Sequence, residues 1–350
     1  MSDTNIDISA VITTYNRSEM LAAALDALLS QNAGGVRYEV VVVDNNSTDD
    51  TRAMVEGLIA KGHANLRYVF EPQQGITYGR NAGIAAARGD IIAFTDDDVV
   101  VSDNWLTTIK RAFSENPDIA YVGGKILPHW SAPPPPWLTV DHWWPLALLD
   151  PGNERFRVNA SNPLCLPTAN ASFRREVFSR VGLFSAQFSG REDHELYLRL
   201  WHAGIEGLYE PALVVMAEVQ PERYLKSYHR RWNNKTGKFN SLSRLDEITA
   251  PDGGLSVSER RPRGVTLFGV PGAIYREFVT EGLRWVRETV RRDESRKLQH
   301  ENRLYYLAGY VSKRYEVTTA QENYSARADV ASFFKGLFAK VVRKPETSNA

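Results

Sequence analysis

Residues 91–98 read Ile-Ile-Ala-Phe-Thr-Asp-Asp-Asp, an apolar run followed at once by three carboxylates. The run is short and follows Gly89, which predicts a buried strand over 91–95. Three adjacent carboxylates repel one another, so they destabilise the fold unless a cation or hydrogen-bond donors offset their charge. Hard divalent ions such as Mg²⁺ or Mn²⁺ take oxygen ligands and often complete their shell with substrate phosphates. The triad therefore predicts a metal and phosphate site; the alternative is a solvated acidic turn that caps the next helix.

The surrounding sequence alternates between short apolar runs and segments of helical periodicity. Such alternation predicts βαβ crossovers, and therefore an α/β fold with a mostly parallel sheet. Ser18 is predicted to cap the first helix, and Ser102 or Asp103 the fourth. The predicted strands cover 6–14, 38–43, 66–70, 91–95 and 212–217, and the predicted helices cover 19–31, 51–60, 78–88, 103–115 and 192–202.

Composition restricts the function classes. The chain has 350 residues with 42 Lys plus Arg against 42 Asp plus Glu, and this formal charge of zero argues against nucleic acid as a partner. A single cysteine, Cys165, excludes an intrachain disulfide framework and fits a reducing compartment. No apolar run of membrane-spanning length and no signal-peptide pattern is visible, so we expect a cytoplasmic protein, one that could lie at the inner face of a membrane.

The character of the chain changes after Ile126. Residues 128–145 contain six prolines and four tryptophans, which predicts an ordered loop or a lid. Beyond Pro221 the sequence predicts helices, including segments 272–292 and 297–315. A Gly/Ser/Pro-rich stretch at 250–264 separates them from a basic region, and 344–350 is predicted to be a flexible tail.

Polar residues follow each of the first four predicted strands. Ligands bind at the carboxyl ends of strands in an open parallel sheet, so these residues are candidates for a binding site. Asp44 could accept from a pyrimidine ring N–H; the alternative is an Asx turn in a polar loop. Asp193, in the first turn of a predicted helix, is a candidate general base, although acidic residues there also complement the helix dipole. His194 is the less favoured base, because a lone helical histidine more often serves packing.

Together these segments resemble the family 2 glycosyltransferases, which are inverting enzymes of the GT-A fold. The order and spacing of the matching motifs agree from residue 6 to about 217. The resemblance implies a Rossmann-like GT-A domain over 1–220 and a mainly helical C-terminal extension over 221–343. The matching segments are 11–17, 42–49, 79–83, 96–98, 173–184 and 190–193.

The resemblance implies a role for each matching position. Asp193 would be the catalytic base, and Asp96 and Asp98 would bind Mg²⁺ or Mn²⁺ on the donor diphosphate, with Asp97 leaving the ligand assignment open. The nucleotide-sugar site would comprise Thr14, Tyr15, Asn16, Asp44, Arg80, Asn81, Asp96 and Asp97. The sugar or acceptor site would comprise Asn170, Glu192 and Trp137, and the diphosphate would be reached by Arg230 and Arg231.

The implied reaction moves a sugar from a nucleotide diphosphate, with a UDP-sugar favoured, to a hydroxyl of a saccharide or lipid-linked acceptor. We expect it to serve cell-surface polysaccharide or glycoconjugate synthesis. Two departures from the family matter. Residues 216–218 lack the histidine that many relatives carry there, and 228–232 read Tyr-His-Arg-Arg-Trp, so the Gln of the processive Gln-x-x-Arg-Trp motif is missing. The second departure predicts a non-processive enzyme.

Residues 223–244 hold seven Lys or Arg and no acidic residue, with aromatic residues interleaved. This stretch could bind the diphosphate, lie on anionic headgroups as a peripheral membrane contact, or be a solvated helix face. Two other functions remain open at this point. The triad also fits an Asp-based phosphatase, although that class needs it after the first strand. The second is a sugar-nucleotide-binding protein without catalysis.

Overall fold

The computed structural model describes residues 6–188, 190–243, 265–322 and 324–342, so the predicted 250–264 stretch and the 344–350 tail lie outside the described residues. These residues form two compact units. The first comprises the described residues of Met1–Ala132 and Leu146–Gln220, and the second those of Pro133–Pro145 and Pro221–Ala350. The break between Gln220 and Pro221 lies at the position where the predicted extension begins. The proline-rich segment, which we predicted in the first domain, belongs instead to the second unit, where Tyr228 donates to the carbonyl of Pro145 at 3.1 Å.

The first unit is built on a mixed, mostly parallel sheet in the order β3-β2-β1-β4-β8-β6-β9-β5, with β7 paired to β9. β1, β2, β3 and β4 are parallel neighbours, and β8 runs antiparallel between β4 and β6. The strands are Ile8–Thr14 (β1), Tyr38–Asp44 (β2), Leu66–Phe70 (β3), Ile91–Asp96 (β4), Val99–Val101 (β5), Tyr121–Trp130 (β6), Phe156–Val158 (β7), Ala171–Arg174 (β8) and Gly207–Val219 (β9).

Helices cover this sheet, and the apolar residues of β1, β2 and β4 form its core. The predicted alternation of strand and helix is confirmed over residues 8–115, because each of those elements carries its own local periodicity. The helices are Ser18–Leu29 (α1), Thr51–Ala60 (α2), Ile76–Ala86 (α3), Trp105–Glu115 (α4), Glu176–Val181 (α5) and Glu192–His202 (α6).

Both predicted helix caps are wrong. Ser18 is the first helical residue of α1, and its backbone N–H donates to the carboxylate of Asp49 at 3.0 Å. Helix α4 begins at Trp105 without a side-chain cap, and the side chain of Gln31 accepts from Leu106 N at 3.3 Å. In each case a residue distant in sequence satisfies a free N–H of the first turn.

The strand β5 contradicts the acidic-turn alternative. It begins at Val99, directly after the triad, and pairs antiparallel with β9. The triad therefore connects two strands and does not cap a helix. The predicted loop over 128–145 also begins too early, because β6 continues through Pro128 to Trp130 beside β9.

The second unit is a helical layer with a small hairpin. Its longest helix, α9, packs against α7 on one side and α8 on the other. A small core of Val270, Ile274, Tyr306, Leu307 and Tyr310 holds the hairpin and α8 against α9. The elements are Lys226–Ser243 (α7), Thr266–Leu267 (β10), Val270–Pro271 (β11), Gly272–Arg291 (α8), Glu294–Thr319 (α9) and Ala326–Val342 (α10). None of the described helices combines the length and hydropathy that crossing a bilayer requires.

Candidate active site

The carboxyl ends of three adjacent parallel strands form one rim of the first unit. β1 lies between β2 and β4, with Thr14 opposite Asp44 and Thr13 opposite Asp96. The polar residues that follow these strands therefore lie next to one another, as the sequence predicts. We take this rim as the candidate active site.

The three carboxylates of the triad have different surroundings. Asp97 is 5% exposed, and it accepts from Thr14 Oγ1 at 2.8 Å and from Arg17 Nη1 at 3.1 Å. Arg17 also lies 3.4 Å from Asp98, so one guanidinium offsets two of the three charges. Burial raises the pKa of Asp97, and the positive charge of Arg17 opposes that rise. These contacts favour a structural role for Asp97, which fastens the end of β1 to the end of β4.

Arg80 connects the triad to helix α6. Helix α3 packs tightly on β1, because a Cβ at Gly79 would collide with the side chain of Thr13. The Arg80 side chain is 8% exposed; its Nη1 lies 2.5 Å from Glu192 Oε1, and its Nη2 lies 3.6 Å from Asp96 Oδ1. A buried guanidinium between two carboxylates fixes their separation. Arg80 was predicted to line the nucleotide pocket, and the structure shows that its guanidinium contacts protein carboxylates.

Asp193 occupies the second position of α6, beside this network. Its Oδ1 accepts from His194 N at 2.8 Å. Burial raises the pKa of Asp193, and the charge of Glu192 raises it further, while Arg80 opposes both effects. An ionised carboxylate with a raised pKa is a stronger proton acceptor, which is what a general base requires.

His194 follows Asp193 in the first turn of α6. Burial and the positive charge of Arg191 lower its pKa to about 4. Its Nδ1 lies 3.3 Å from Arg191 Nη2, a contact in which a neutral ring accepts from the guanidinium.

The polar loop after β2 forms another part of the rim. Asp44 accepts from Ser47 N at 2.8 Å, which is the Asx turn considered above, and from Tyr68 Oη at 2.7 Å. A carboxylate retains further lone pairs after two such bonds, so selection of the base by Asp44 stays a prediction. Asn16, with a φ of 52°, accepts from Thr48 N at 2.7 Å and thereby ties the loop after β1 to the loop after β2.

Two amides predicted to contact the ligand are already bonded within the protein. Asn81 pairs with the backbone of Phe184 through two hydrogen bonds, of 2.9 and 3.1 Å. Asn170 is 1% exposed, and its position in the sugar or acceptor site stays a prediction. Its side chain bonds three protein groups, namely Trp105 Nε1 at 2.9 Å, Lys125 O at 2.9 Å and Leu213 O at 3.0 Å. Both amides therefore serve the fold in this structure.

Tyr15, Asn16 and Asp96 are predicted ligand-binding groups that reach the surface of the rim. Tyr15 is 44% exposed, and the side chain of Asp96 is 35% exposed. Glu192, which we predicted in the sugar or acceptor site, is 4% exposed and bonded to Arg80. Its contacts favour positioning of Arg80 over direct contact with a sugar.

A His–Glu pair beside the triad was not predicted from the sequence. Glu218 donates its backbone N–H to Asp98 O at 2.9 Å, and its carboxylate lies 2.5 Å from His129 Nδ1. The pairing of β6 with β9 places His129 opposite Glu218. No local pattern could reveal this contact, because the two residues lie far apart in sequence.

Trp137, predicted near the acceptor, belongs to the second unit. The rings of His142 and His229 contact its ring nearly edge-on, with centroids 5.7 and 5.2 Å away, and Lys226 Nζ lies 5.8 Å from its centroid. These contacts match the alternative interpretation, a packed proline-rich loop. A contact with the acceptor stays a prediction.

Arg230 and Arg231 lie on α7, also in the second unit. Arg230 pairs with Glu301 at 3.0 Å. Arg231 lines a groove of about 610 Å³ together with Lys235, Lys238 and Tyr305. Contact of the two arginines with a diphosphate stays a prediction.

The chemistry of the triad fits a divalent metal that a substrate shares. Asp96 and Asp98 offer the hard oxygen donors that Mg²⁺ and Mn²⁺ prefer. Within the described parts of the chain, no three His, Cys, Asp or Glu side chains come together as a metal site. Diphosphate oxygens and water would complete the shell of an ion held by Asp96 and Asp98.

Comparison with known proteins gives the family. The model of Glycosyl transferase family 2 matches residues 9–182, which include the triad and the motifs after β1, β2 and β3. Succinoglycan biosynthesis protein ExoM of Rhizobium meliloti is 30% identical over 228 residues, covering 64% of this chain and 70% of that protein. The chain belongs to glycosyl transferase family 2. The expected resemblance is thereby confirmed.

A second relative matches over a similar extent, and a solved structure matches in fold. The glucosyl-dolichyl phosphate glucuronosyltransferase of Haloferax volcanii is 24% identical over 239 residues, covering 66% of this chain and 70% of that protein. The mannosyltransferase PcManGT of Pyrobaculum calidifontis, solved with GDP-Man and Mn²⁺, superposes with a TM-score of 0.54 at 17% identity, over 97% of this chain and 82% of that one. The GT-A fold is confirmed by this likeness.

Proposed function

We propose that this glycosyltransferase is an inverting, non-processive enzyme that moves a hexosyl group from a nucleotide diphosphate to an acceptor hydroxyl. A UDP-sugar is the favoured donor, because Asp44 can accept from the ring N–H of a pyrimidine. A saccharide or lipid-linked acceptor, used in cell-surface glycoconjugate synthesis, is supported by two relatives. One is named for a dolichyl phosphate substrate and the other for succinoglycan biosynthesis.

The observation that carries the proposal is the placement of Asp193. It lies at the start of α6, where burial raises its pKa, and it neighbours the Glu192–Arg80–Asp96 network. In the proposed step, Asp193 removes the proton of the acceptor hydroxyl. The acceptor oxygen bonds to the anomeric carbon as the bond from that carbon to the diphosphate oxygen breaks. One displacement from the opposite face inverts the configuration.

The leaving diphosphate carries charge that the site must offset. Asp96 and Asp98 would hold a divalent ion, which when bound neutralises charge on the departing nucleoside diphosphate. Thr14 and Arg17 hold Asp97 in the turn, so the triad keeps its conformation before the donor binds. Arg80 sets the distance between the triad and α6. It thereby holds the metal-binding carboxylates, on the donor side, in a fixed position relative to Asp193, on the acceptor side.

The proposed location is the cytoplasmic face of a membrane. A lipid-linked acceptor would bring the enzyme to that surface. The basic stretch from 223 onward supplies charge suited to anionic headgroups, and its residues 226–243 lie on α7. Arg230 and Arg231 could alternatively assist at the diphosphate.

A donor panel with product analysis tests the proposal. Nucleoside diphosphates and sugar nucleotides of uridine, thymidine and guanosine are added with and without Mn²⁺, and the thermal midpoint is followed. The preferred donor should raise the midpoint, more strongly with Mn²⁺, since a ligand that binds the native state stabilises it. NMR of the glycosylated product should show an inverted anomeric centre. Binding without nucleotide release would favour a non-catalytic sugar-nucleotide-binding protein, and a retained configuration would rule out the single displacement.

A further inference from the structure

Helix α8 (Gly272–Arg291) has an unusual distribution of apolar and charged side chains. Four aliphatic side chains recur at helical spacing and are the most exposed apolar groups of the helix. They are Val279 at 65% exposed, Leu283 at 68%, Val286 at 51% and Val290 at 78%. The stripe spans 12 residues, or about 17 Å of helix. An apolar stripe of this size on the surface of a folded unit indicates an interaction surface.

The opposite face of α8 is acidic and packs against α9. Glu281 is 7% exposed and lies 2.7 Å from His300 Nδ1, while Glu277 lies 2.6 Å from Arg303 Nε. Glu288 is fully buried and contacts Arg287 at 2.6 Å. The charged contacts therefore lie within the unit while the aliphatic stripe faces outward, the reverse of the usual arrangement in a globular domain.

The exposed charge on α8 is mainly positive. Arg276, Arg284, Arg287 and Arg291 are exposed, Glu281 and Glu288 are buried, and Glu277, whose side chain is 35% exposed, is paired with Arg303. Arg284, Arg287 and Arg291 reach back to Glu281 and Glu288, so three of the four arginines are partly neutralised. Arg276 has no ion-pair partner among the described side chains. The surface that α8 offers is thus aliphatic and flanked by guanidinium groups.

We propose that α8 lies on an anionic lipid bilayer surface, with its aliphatic stripe at the level of the acyl chains and its arginines among the headgroup phosphates. An interfacial helix needs an apolar stripe with basic flanks, and α8 supplies both. A second copy of the chain is the less suitable occupant. Two such faces in contact would bring their arginines together, and the one partly exposed carboxylate of the helix, that of Glu277, is already paired with Arg303. Headgroup phosphates provide that missing counter-charge.

This inference deepens the proposed function and relies on its lipid-linked acceptor. Such an acceptor is confined to a membrane surface, so an enzyme held at that surface meets it far more often than one free in solution. Membrane contact through α8 is separate from the basic stretch on α7, because it uses an apolar stripe that the earlier stretch lacks.

Vesicle co-sedimentation of the full chain tests the inference, with vesicles of phosphatidylcholine alone or mixed with phosphatidylglycerol. Wild type should pellet with the mixed vesicles and less with phosphatidylcholine. Replacing Leu283→Asn together with Val290→Asn should lower the bound-to-free ratio at least about tenfold. Arg276→Gln should weaken binding to the mixed vesicles alone. Val317→Asn is the matched control for Val290→Asn, since Val317 is 41% exposed on α9, and it should change binding less than about twofold.

Two measurements keep the outcomes separate. The donor-induced thermal shift of each variant should equal that of wild type, which shows that the donor site is intact. If wild type itself shows no donor-induced shift, the proposed function is refuted, whereas the vesicle result still stands. Sedimentation velocity without lipid should give a monomer. Equal vesicle binding by the double variant and wild type would overturn the inference. So would a lipid-free dimer that the double variant dissociates.

Discussion

Replacing Arg80 by methionine removes the guanidinium that joins Glu192 to the triad. The side chains of Arg80 and Glu192 are 8% and 6% exposed, so the substitution leaves a carboxylate buried without its partner. Breaking a buried ion pair in this way costs about 3–5 kcal/mol. The Asp96 contact adds little, because its distance is 3.6 Å and the Asp96 side chain is 35% exposed. We therefore expect the free energy of unfolding to fall by about 3–5 kcal/mol.

Urea denaturation followed by circular dichroism measures this loss, and a double mutant identifies its cause. If the uncompensated charge of Glu192 is responsible, then Arg80→Met combined with Glu192→Gln should recover at least about half of the lost stability. Arg80→Lys should retain part of it, since a point charge replaces a fork of donors. A loss below about 1 kcal/mol, or two single losses that simply add, would refute the role assigned to Arg80.

Three further predictions concern the base, the metal and a buried amide. The acid limb of the pH dependence of kcat should lie above the usual range for an aspartate, because burial raises the pKa of Asp193. The base must be ionised, so kcat should fall as the pH drops through that raised pKa. An acid limb near pH 4 would contradict the assignment of Asp193 as the base. Asp98→Asn should reduce the Mn²⁺-dependent part of the donor-induced thermal shift, while the thermal midpoint without ligand stays within a few degrees of wild type. An unchanged response to Mn²⁺ would show that Asp98 is not a metal ligand. Asn170→Ala should lower the free energy of unfolding by about 2–4 kcal/mol, because it leaves three buried polar groups without a partner. A variant that is as stable as wild type but binds the donor more weakly would instead support the predicted contact of Asn170 with the sugar.

The sequence predicts the first half of the sheet well, because the pattern there is local. β2 and β3 and the helices α2 and α6 fall within one residue of their predicted bounds, since each has its own apolar period. β5 has three residues and no period of its own, so only its pairing with β9 defines it. Helix caps fail for the same reason, because Asp49 and Gln31 reach their helices from elsewhere in the chain.

The candidate site shows a similar division. Motif spacing predicts which strand ends meet at the rim, because parallel strands bring their carboxyl ends together. It does not predict how each side chain is bonded there. Arg17 was given no role although it neutralises part of the triad, and Asn81 and Asn170 were assigned to ligands although the backbone already occupies them. Those contacts depend on tertiary packing between distant segments, which a motif does not encode.

The orientation of α8 also lay beyond the sequence. Its helical periodicity was predicted over 272–292, and the structure gives Gly272–Arg291. Periodicity alone places the aliphatic stripe in a core, since that is the usual arrangement. Only the ion pairs of Glu277 and Glu281 with α9 show that the stripe faces outward.

Comparison of wild type with Asp193→Asn tests the central claim most directly. The substitution keeps the shape of the side chain and removes its ability to take a proton. With the preferred donor and Mn²⁺, the variant should bind the donor with a Kd within about threefold of wild type and show kcat lower by at least about 10²-fold, the contribution expected of a general base. Turnover close to wild type, measured as nucleoside diphosphate released together with glycosylated product, would show that the acceptor proton leaves by another route.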